Sequence, residues 1–135
     1  MDPVVHFEMP YEDKDRAAKF YQGVFGWQAN MMGAEMGNYV VMTTTPLDEK
    51  TQRPKEPGQI NGGMYHRNND SQYPSFVIAV KDIREAMKKI AAAGGKVVGG
   101  SKGDGEPDEI PGVGLYCSFI DTEGNRLSIL QPKGM

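Results

Sequence analysis

His6 and Glu8 stand two residues apart in the segment Val4-Val5-His6-Phe7-Glu8-Met9. In a pleated strand that spacing puts both on one face and Val5 and Phe7 on the other. An imidazole beside a carboxylate can act as acid, base or hydrogen-bond partner near neutral pH. The same residues can equally be held by their neighbours with no reaction to perform. Glu8 would titrate upward if desolvated, and as a rim residue it would simply face water. The second histidine, His66, belongs to the polar run His66-Arg67-Asn68-Asn69-Asp70 and reads as a solvated strand end. Cys117 lies inside a predicted strand and reads as a buried thiol. Tyr39, Tyr65, Tyr116 and Trp27 offer flat walls for an aromatic or planar ligand, or core packing in its place. The nine methionines, Met31, Met32, Met36, Met42 and Met64 among them, suit an adaptable pocket or the filling of core gaps.

The elements that must position these groups come as one pattern written twice. A strand, Val4 to Met9, leads to a helix capped by Asp13 or Asp15. Its apolar residues Ala17, Phe20, Tyr21, Val24 and Phe25 recur at helical spacing, and Gly26 stops it. Phe76 to Val80 leads in the same way to Asp82 and a helix with Ile83, Ala86, Met87, Ile90 and Ala91, stopped by Gly94-Gly95. At an offset of about 69 residues His6 falls on Ser75, Asp13 on Asp82, Ala17 on Ala86 and Gly26 on Gly95. Strands are predicted over 27–32, 39–45 and 59–66 in the first repeat. The second has them over 96–98, 113–120 and 126–131. Gly62-Gly63 inside the fourth strand marks a bulge or a close backbone approach. Pro46 to Gly58 is a loop long enough to be a lid or a dimer contact. Gly99 to Gly112 is a loop at the pocket mouth; its Gly-Ser-Lys run lacks the ending of a phosphate-binding loop. The order βαβββ, βαβββ predicts an α+β fold: one domain over 1–135, built of repeats at about 1–67 and 74–135. The site is expected between the two repeats.

Bulk properties exclude several classes. With 15 basic and 18 acidic residues the formal charge is −3, which leaves no footprint for nucleic acid or an anionic membrane. One cysteine excludes an intrachain disulfide and favours a reducing compartment. No apolar run approaches the roughly 20 residues that span a bilayer. No basic region followed by an apolar stretch opens the chain, so a cytoplasmic protein is expected.

Several pieces together carry a resemblance: Arg16-Ala17-Ala18-Lys19-Phe20-Tyr21 followed by Phe25-Gly26-Trp27, Ala93-Gly94-Gly95, Ile110-Pro111-Gly112-Val113-Gly114 and Asp121-Thr122-Glu123-Gly124-Asn125-Arg126. In this order and spacing the chain resembles the glyoxalase, bleomycin-resistance and extradiol-dioxygenase superfamily, the vicinal oxygen chelate fold, including the lactoylglutathione-lyase-related proteins. The resemblance implies tandem βαβββ modules whose curled mixed sheet surrounds a cavity. It also implies a homodimer, which would cover exposed sheet edges. In metal-dependent members four side chains bind a divalent ion. His6 matches the first ligand position, Ser75 and Ser128 fall on two others, and Asn61-Gly62-Gly63-Met64 offers no carboxylate or imidazole at the fourth. One imidazole and two hydroxyls make a poor site for such an ion. The expectation is therefore a metal-independent protein that binds a small organic ligand through His6, Glu8, Tyr39, Tyr65, Ser75 and Ser128. It would sequester that ligand or catalyse a reaction on it, with His6 and Glu8 the catalytic candidates. The alternative is a metal-dependent lyase, isomerase or dioxygenase with a site rearranged around His6 and Glu8.

Overall fold

The computed structural model describes residues 1–70 and 72–134. The two repeats begin by the same local rules. Val4–Tyr11 forms β1, and Asp13 caps helix α1 (Lys14–Phe25) by accepting from the Arg16 N–H at 3.0 Å. Gly26 ends that helix at φ 73°, a left-handed conformation that costs a residue without Cβ little. Asp82 caps α2 (Ile83–Ala92) by accepting from the N–H groups of Arg84 and Glu85. The aspartates paired by the internal offset are thus both helix caps.

The remaining strands of the first repeat are β2 (Gln28–Met31), β3 (Val40–Thr43) and β4 (Asn61–His66), with a 3-10 turn at Ala34–Met36. The second repeat has β5 (Ser75–Ala79), β6 (Lys96–Gly99), β7 (Asp108–Ile110), β8 (Gly114–Ile120) and β9 (Arg126–Pro132). β7 corrects the reading of 99–112 as loop throughout. Its residues, Asp-Glu-Ile, carry no β signal of their own. Pairing with β8 holds it, and the Asp108 carboxylate ties it back by accepting from the Ser101 N–H and hydroxyl.

The chain divides into two compact units, His6–Pro74 and Met1–Val5 with the chain from Ser75 onward. In the first, the strands run β2-β3-β4-β1, antiparallel except for the parallel pair β4–β1. One sheet face packs on α1 through Tyr11, Ala18, Val40, Met42 and Met64. Met42 and Met64 are fully buried, so these methionines fill core. Trp27 stacks on Tyr21 at 4.8 Å and tilts against Phe7 at 5.5 Å. It is part of this core and does not form a ligand wall. The apolar stripe of α1 is wider than the face it buries. Ala17, Ala18 and Tyr21 meet the sheet, whereas Phe20, Val24 and Phe25 remain 55%, 58% and 61% exposed.

In the second unit β5 pairs parallel with β9, β9 antiparallel with β8, and β8 antiparallel with both β6 and β7. Val80, Ile83, Cys117, Phe119 and Ile129 form its core, with Ala86, Met87 and Ile90 of α2 packed on them. Cys117 is fully buried, as predicted, and burial pushes its thiol pKa up. The first residues join this unit through the Ala79 N–H, which donates to the Pro3 carbonyl at 2.9 Å. Among the described residues no helix is long and apolar enough to cross a membrane.

Candidate functional site

The register of β1 and β4 assembles the site. The parallel pairing sets His6 beside Asn61, Glu8 beside Gly63 and Pro10 beside Tyr65. Partners in register share a face, so His6, Glu8, Asn61, Gly63 and Tyr65 lie on the side of the sheet away from α1. β3 adds Val41 opposite Gly63. Tyr39, two residues before Val41, belongs to the same side and reaches across it.

That reach defines the geometry. The Tyr39 hydroxyl lies 2.9 Å from His6 Nε2 and donates to Glu8 Oε2 at 3.4 Å. Two residues on β1 are thereby bridged by a phenol from the residue just before β3. The ring fits because position 63 is glycine. A Cβ there would stand 2.0 Å from the Tyr39 hydroxyl oxygen and 2.2 Å from Cζ. At Gly62 a Cβ would meet the Phe7 carbonyl oxygen at 2.4 Å. The Gly62-Gly63 pair is therefore the close approach that the sequence allowed for, with a side chain filling one position and backbone closing the other.

Glu8 is a buried carboxylate, 9% exposed. His6 is half-buried, and desolvation holds its pKa below the ordinary imidazole value. The imidazole is thus neutral at physiological pH and is held by a hydrogen bond. Asn61, which is neither carboxylate nor imidazole, anchors backbone. Its Oδ1 accepts from the N–H groups of Thr44 at 2.7 Å and Thr45 at 2.9 Å, fixing the chain as it leaves β3. The short hydrogen bond between Thr45 and Gln59 adds to this anchor. The loop 46–58 beyond it is stapled by a bridge between Leu47 and Pro54 and by Asp48, which accepts from Lys50 and Thr51. Tyr65 is half-buried on the His6 face. His66 is exposed, its ring edge-on to Tyr11 at 5.6 Å, as a solvated strand end should be.

The other predicted residues lie in the second unit. Ser128 is 4% exposed on β9, and its hydroxyl is 2.6 Å from that of Tyr116 on β8. Ser75 opens β5 and is half-buried. Tyr116, a candidate ligand wall by its type, pairs its hydroxyl with Ser128 inside this unit.

The first unit also carries two open clefts, and neither lies on the His6 face. One, lined by Asp15, Ala18, Lys19, Gln22, Gly23 and Met31, runs along α1. The other joins the start of α1 to Arg67. We take the His6 face as the site because, among the described residues, it brings a neutral imidazole, a phenol and a buried carboxylate together. As a metal centre the arrangement fits poorly, because His6 and Glu8 are the two side chains of ligand type that it brings together. Among the described residues no three His, Cys, Asp or Glu side chains gather as an ion would require.

The family model described as "Bleomycin resistance protein-like N-terminal" matches residues 4–45, the segment that carries β1, α1, β2 and β3. No curated protein matches the chain by sequence. Several solved structures match it nearly end to end. A hypothetical protein from Bacillus halodurans is 11% identical with a TM-score of 0.67, the match covering 99% of this chain and 96% of that one. Methylmalonyl-CoA epimerase from Mycobacterium tuberculosis is 12% identical with a TM-score of 0.63, over 96% of this chain and 87% of that one. A variant of Streptomyces coelicolor methylmalonyl-CoA epimerase in complex with 2-nitronate-propionyl-CoA is 12% identical with a TM-score of 0.68, over 98% and 96%. The fold is that of the glyoxalase, bleomycin-resistance and vicinal oxygen chelate superfamily. At 11–12% identity these are likenesses of fold, and the family model matches the segment 4–45.

Proposed function

We propose that this protein binds a small organic molecule on the His6 face, and that it does so through hydrogen bonds and without a metal ion. One observation carries the reading. The Tyr39 phenol stands between His6 and Glu8, in space that Gly63 leaves open, and its hydroxyl engages both His6 Nε2 and the Glu8 carboxylate. A buried carboxylate and a neutral imidazole then offer directional polar contacts to a molecule on that face. Relatives by fold that hold a CoA ester or its analogue support a small-molecule ligand. Retention of that ligand, or a reaction performed on it, is the outcome of binding. A homodimer in a reducing, cytoplasmic setting agrees with the exposed Phe20, Val24 and Phe25 and with the single buried thiol.

The test has two parts. Elemental analysis of protein purified without chelator should find no stoichiometric divalent metal. About one equivalent that disappears in His6→Ala would overturn the reading in favour of a rearranged metal site. A thermal-shift screen of metabolites and antibiotics should find a ligand that stabilises the fold. At 100 times its dissociation constant the gain is about 2.7 kcal/mol. His6→Ala should weaken that ligand by about 1–3 kcal/mol, the cost of leaving a buried polar group unpaired, while the fold persists.

A further inference from the structure

The exit from β3 is held by one side chain of β4. Asn61 Oδ1 accepts from the N–H groups of Thr44 at 2.7 Å and Thr45 at 2.9 Å, and its Nδ2 donates back to the Thr45 carbonyl at 3.3 Å. Backbone partners fix both roles, since an N–H only donates and a carbonyl only accepts. The amide group thus pairs with Thr45 as a neighbouring strand would. Asn61 lies in register with His6 and on the same face, so this pairing draws the chain leaving β3 toward the His6 side. Residues 46–58 beyond it are bonded to one another. The N–H groups of Asp48, Gln52 and Lys55 donate to the carbonyls of Arg53, Asp48 and Pro46 at 2.8, 2.8 and 3.0 Å, and the Asp48 carboxylate takes the N–H groups of Lys50 and Thr51. Among the described residues no hydrogen bond or ion pair joins 46–58 to the chain outside 44–61.

We infer that residues 46–58 are a flap that swings as one body at the edge of the His6 face, and that Asn61 is the positioning residue that latches it. This rests on the reading of the His6 face as the binding site. A segment bonded internally and tied down at its root moves without melting, because opening it breaks the root bonds and leaves its own intact. The turning points sit at that root. Pro46 follows the latched Thr45, and Gly58 takes a left-handed φ of 84° with open space where a side chain would be. Thr45, only 5% exposed, bonds Gln59 through its hydroxyl and so joins the two ends of the flap. The register of His6 with Asn61 sets the root level with the imidazole. Closed, the flap covers that end of the face; open, it admits a molecule to His6.

Amide hydrogen exchange reads the latch. In Asn61→Ala the Thr44 and Thr45 amides should exchange about tenfold faster, the effect of losing two neutral hydrogen bonds, while Asp48, Gln52 and Lys55 change by less than about twofold. Asp48→Ala should free the Lys50 and Thr51 amides and leave Thr44 and Thr45 as they are. Equal acceleration at the root and inside the flap in Asn61→Ala, or none at the root, overturns the latch. Cover of His6 is read by acylation with diethyl pyrocarbonate at mildly alkaline pH, where both imidazoles are neutral, followed by mass spectrometry. The chain has two histidines, and the exposed His66 is the internal reference. The ratio of His6 to His66 labelling should rise about threefold or more in Asn61→Ala. It should rise as well when Gly-Gly replaces residues 47–54, whose flanking residues Pro46 and Lys55 already stand a hydrogen bond apart. That shortened chain keeps Asn61, so it separates cover by the flap from loss of the side chain beside His6. An unchanged ratio in the shortened chain overturns the flap as a cover, whatever Asn61→Ala does. Neither measurement uses a ligand or a metal. A working latch with no ligand found would sink the proposed function alone, and unchanged exchange and labelling beside a ligand that needs His6 would sink this inference alone.

Discussion

Replacing Gly63 by alanine tests the claim that the site is built around the Tyr39 ring. The backbone at Gly63 does not adopt positive φ, so alanine is conformationally allowed there. With no other effect it would stabilise the fold by about 0.4–1 kcal/mol, by restricting the unfolded chain. Its Cβ, however, would lie 2.0 Å from the Tyr39 hydroxyl oxygen, 2.2 Å from Cζ and 2.3 Å from Cε1. The ring has to swing away, and the 2.9 Å contact with His6 goes with it. Overpacking a filled site costs about 1–3 kcal/mol. The lost hydrogen bond adds about 0.5–1.5 kcal/mol. A net destabilisation of about 2–3 kcal/mol follows, or about 8–12 °C in melting temperature at roughly 4 °C per kcal/mol for a chain of this size. Urea unfolding followed by the fluorescence of Trp27, the one tryptophan, reads it directly. The decisive comparison repeats Gly63→Ala in a Tyr39→Ala background. With the ring gone the three atoms nearest that Cβ are removed, and the added cost should fall below about 1 kcal/mol. An equal cost in both backgrounds refutes the reasoning, because the glycine would then be required by something other than Tyr39.

Three further expectations follow from the same structure. His6 has a folded pKa below its unfolded value near 6.5, so its two states bind equal protons well above that pH and stability is flat there. As pH falls below about 6.5 the unfolded chain takes up a proton that the folded one resists, and stability declines until the folded His6 also protonates; His6→Gln should flatten that part of the urea-midpoint profile, and an unchanged slope would contradict the burial of His6. Tyr116→Phe removes the 2.6 Å partner of a buried Ser128 hydroxyl and should cost about 1–2 kcal/mol by chemical denaturation, whereas a neutral result would mean the pair contributes nothing. Asp82→Ala removes a cap that accepts two N–H bonds and Asp13→Ala one that accepts a single bond; each should cost about 0.5–2 kcal/mol, with Asp82 the larger, and the reverse order would argue against cap bonding as the cause.

What the sequence made legible follows from the range of the forces involved. Caps, stops and apolar periodicity are local, so Asp13, Asp82 and Gly26 can be read directly and all three stand where their types put them. The placement of His6 and Glu8 on one face needs only the two-residue period of β1. Two features are out of reach. β7 exists because β8 pairs with it, a cross-strand cause that three acidic and aliphatic residues cannot announce. The exposure of Phe20, Val24 and Phe25 depends on how much of α1 a four-stranded sheet can cover, whereas periodicity reports only that the stripe is apolar.

Tyr39 falls between these cases. Its type and its place before a strand are visible in the sequence, where it is one wall among several. Its partner in shape is visible too, as a glycine pair inside β4 that weakens the strand by propensity. The missing link is register: only the pairing of Val41 with Gly63, and of Gly63 with Glu8, brings the empty position, the phenol and the carboxylate to one spot. A glycine in a strand interior, opposite a strand that follows an aromatic residue, is a signal of cavity-making in its own right. Here the vacated volume holds the side chain that polarises the site, so the weakness of β4 as a strand and the chemistry of the His6 face have a single cause. Gly63→Ala and Tyr39→Phe therefore probe one arrangement from its two sides, by volume and by hydrogen bond, and a protein in which only one of them disturbed His6 would need a different account of this face.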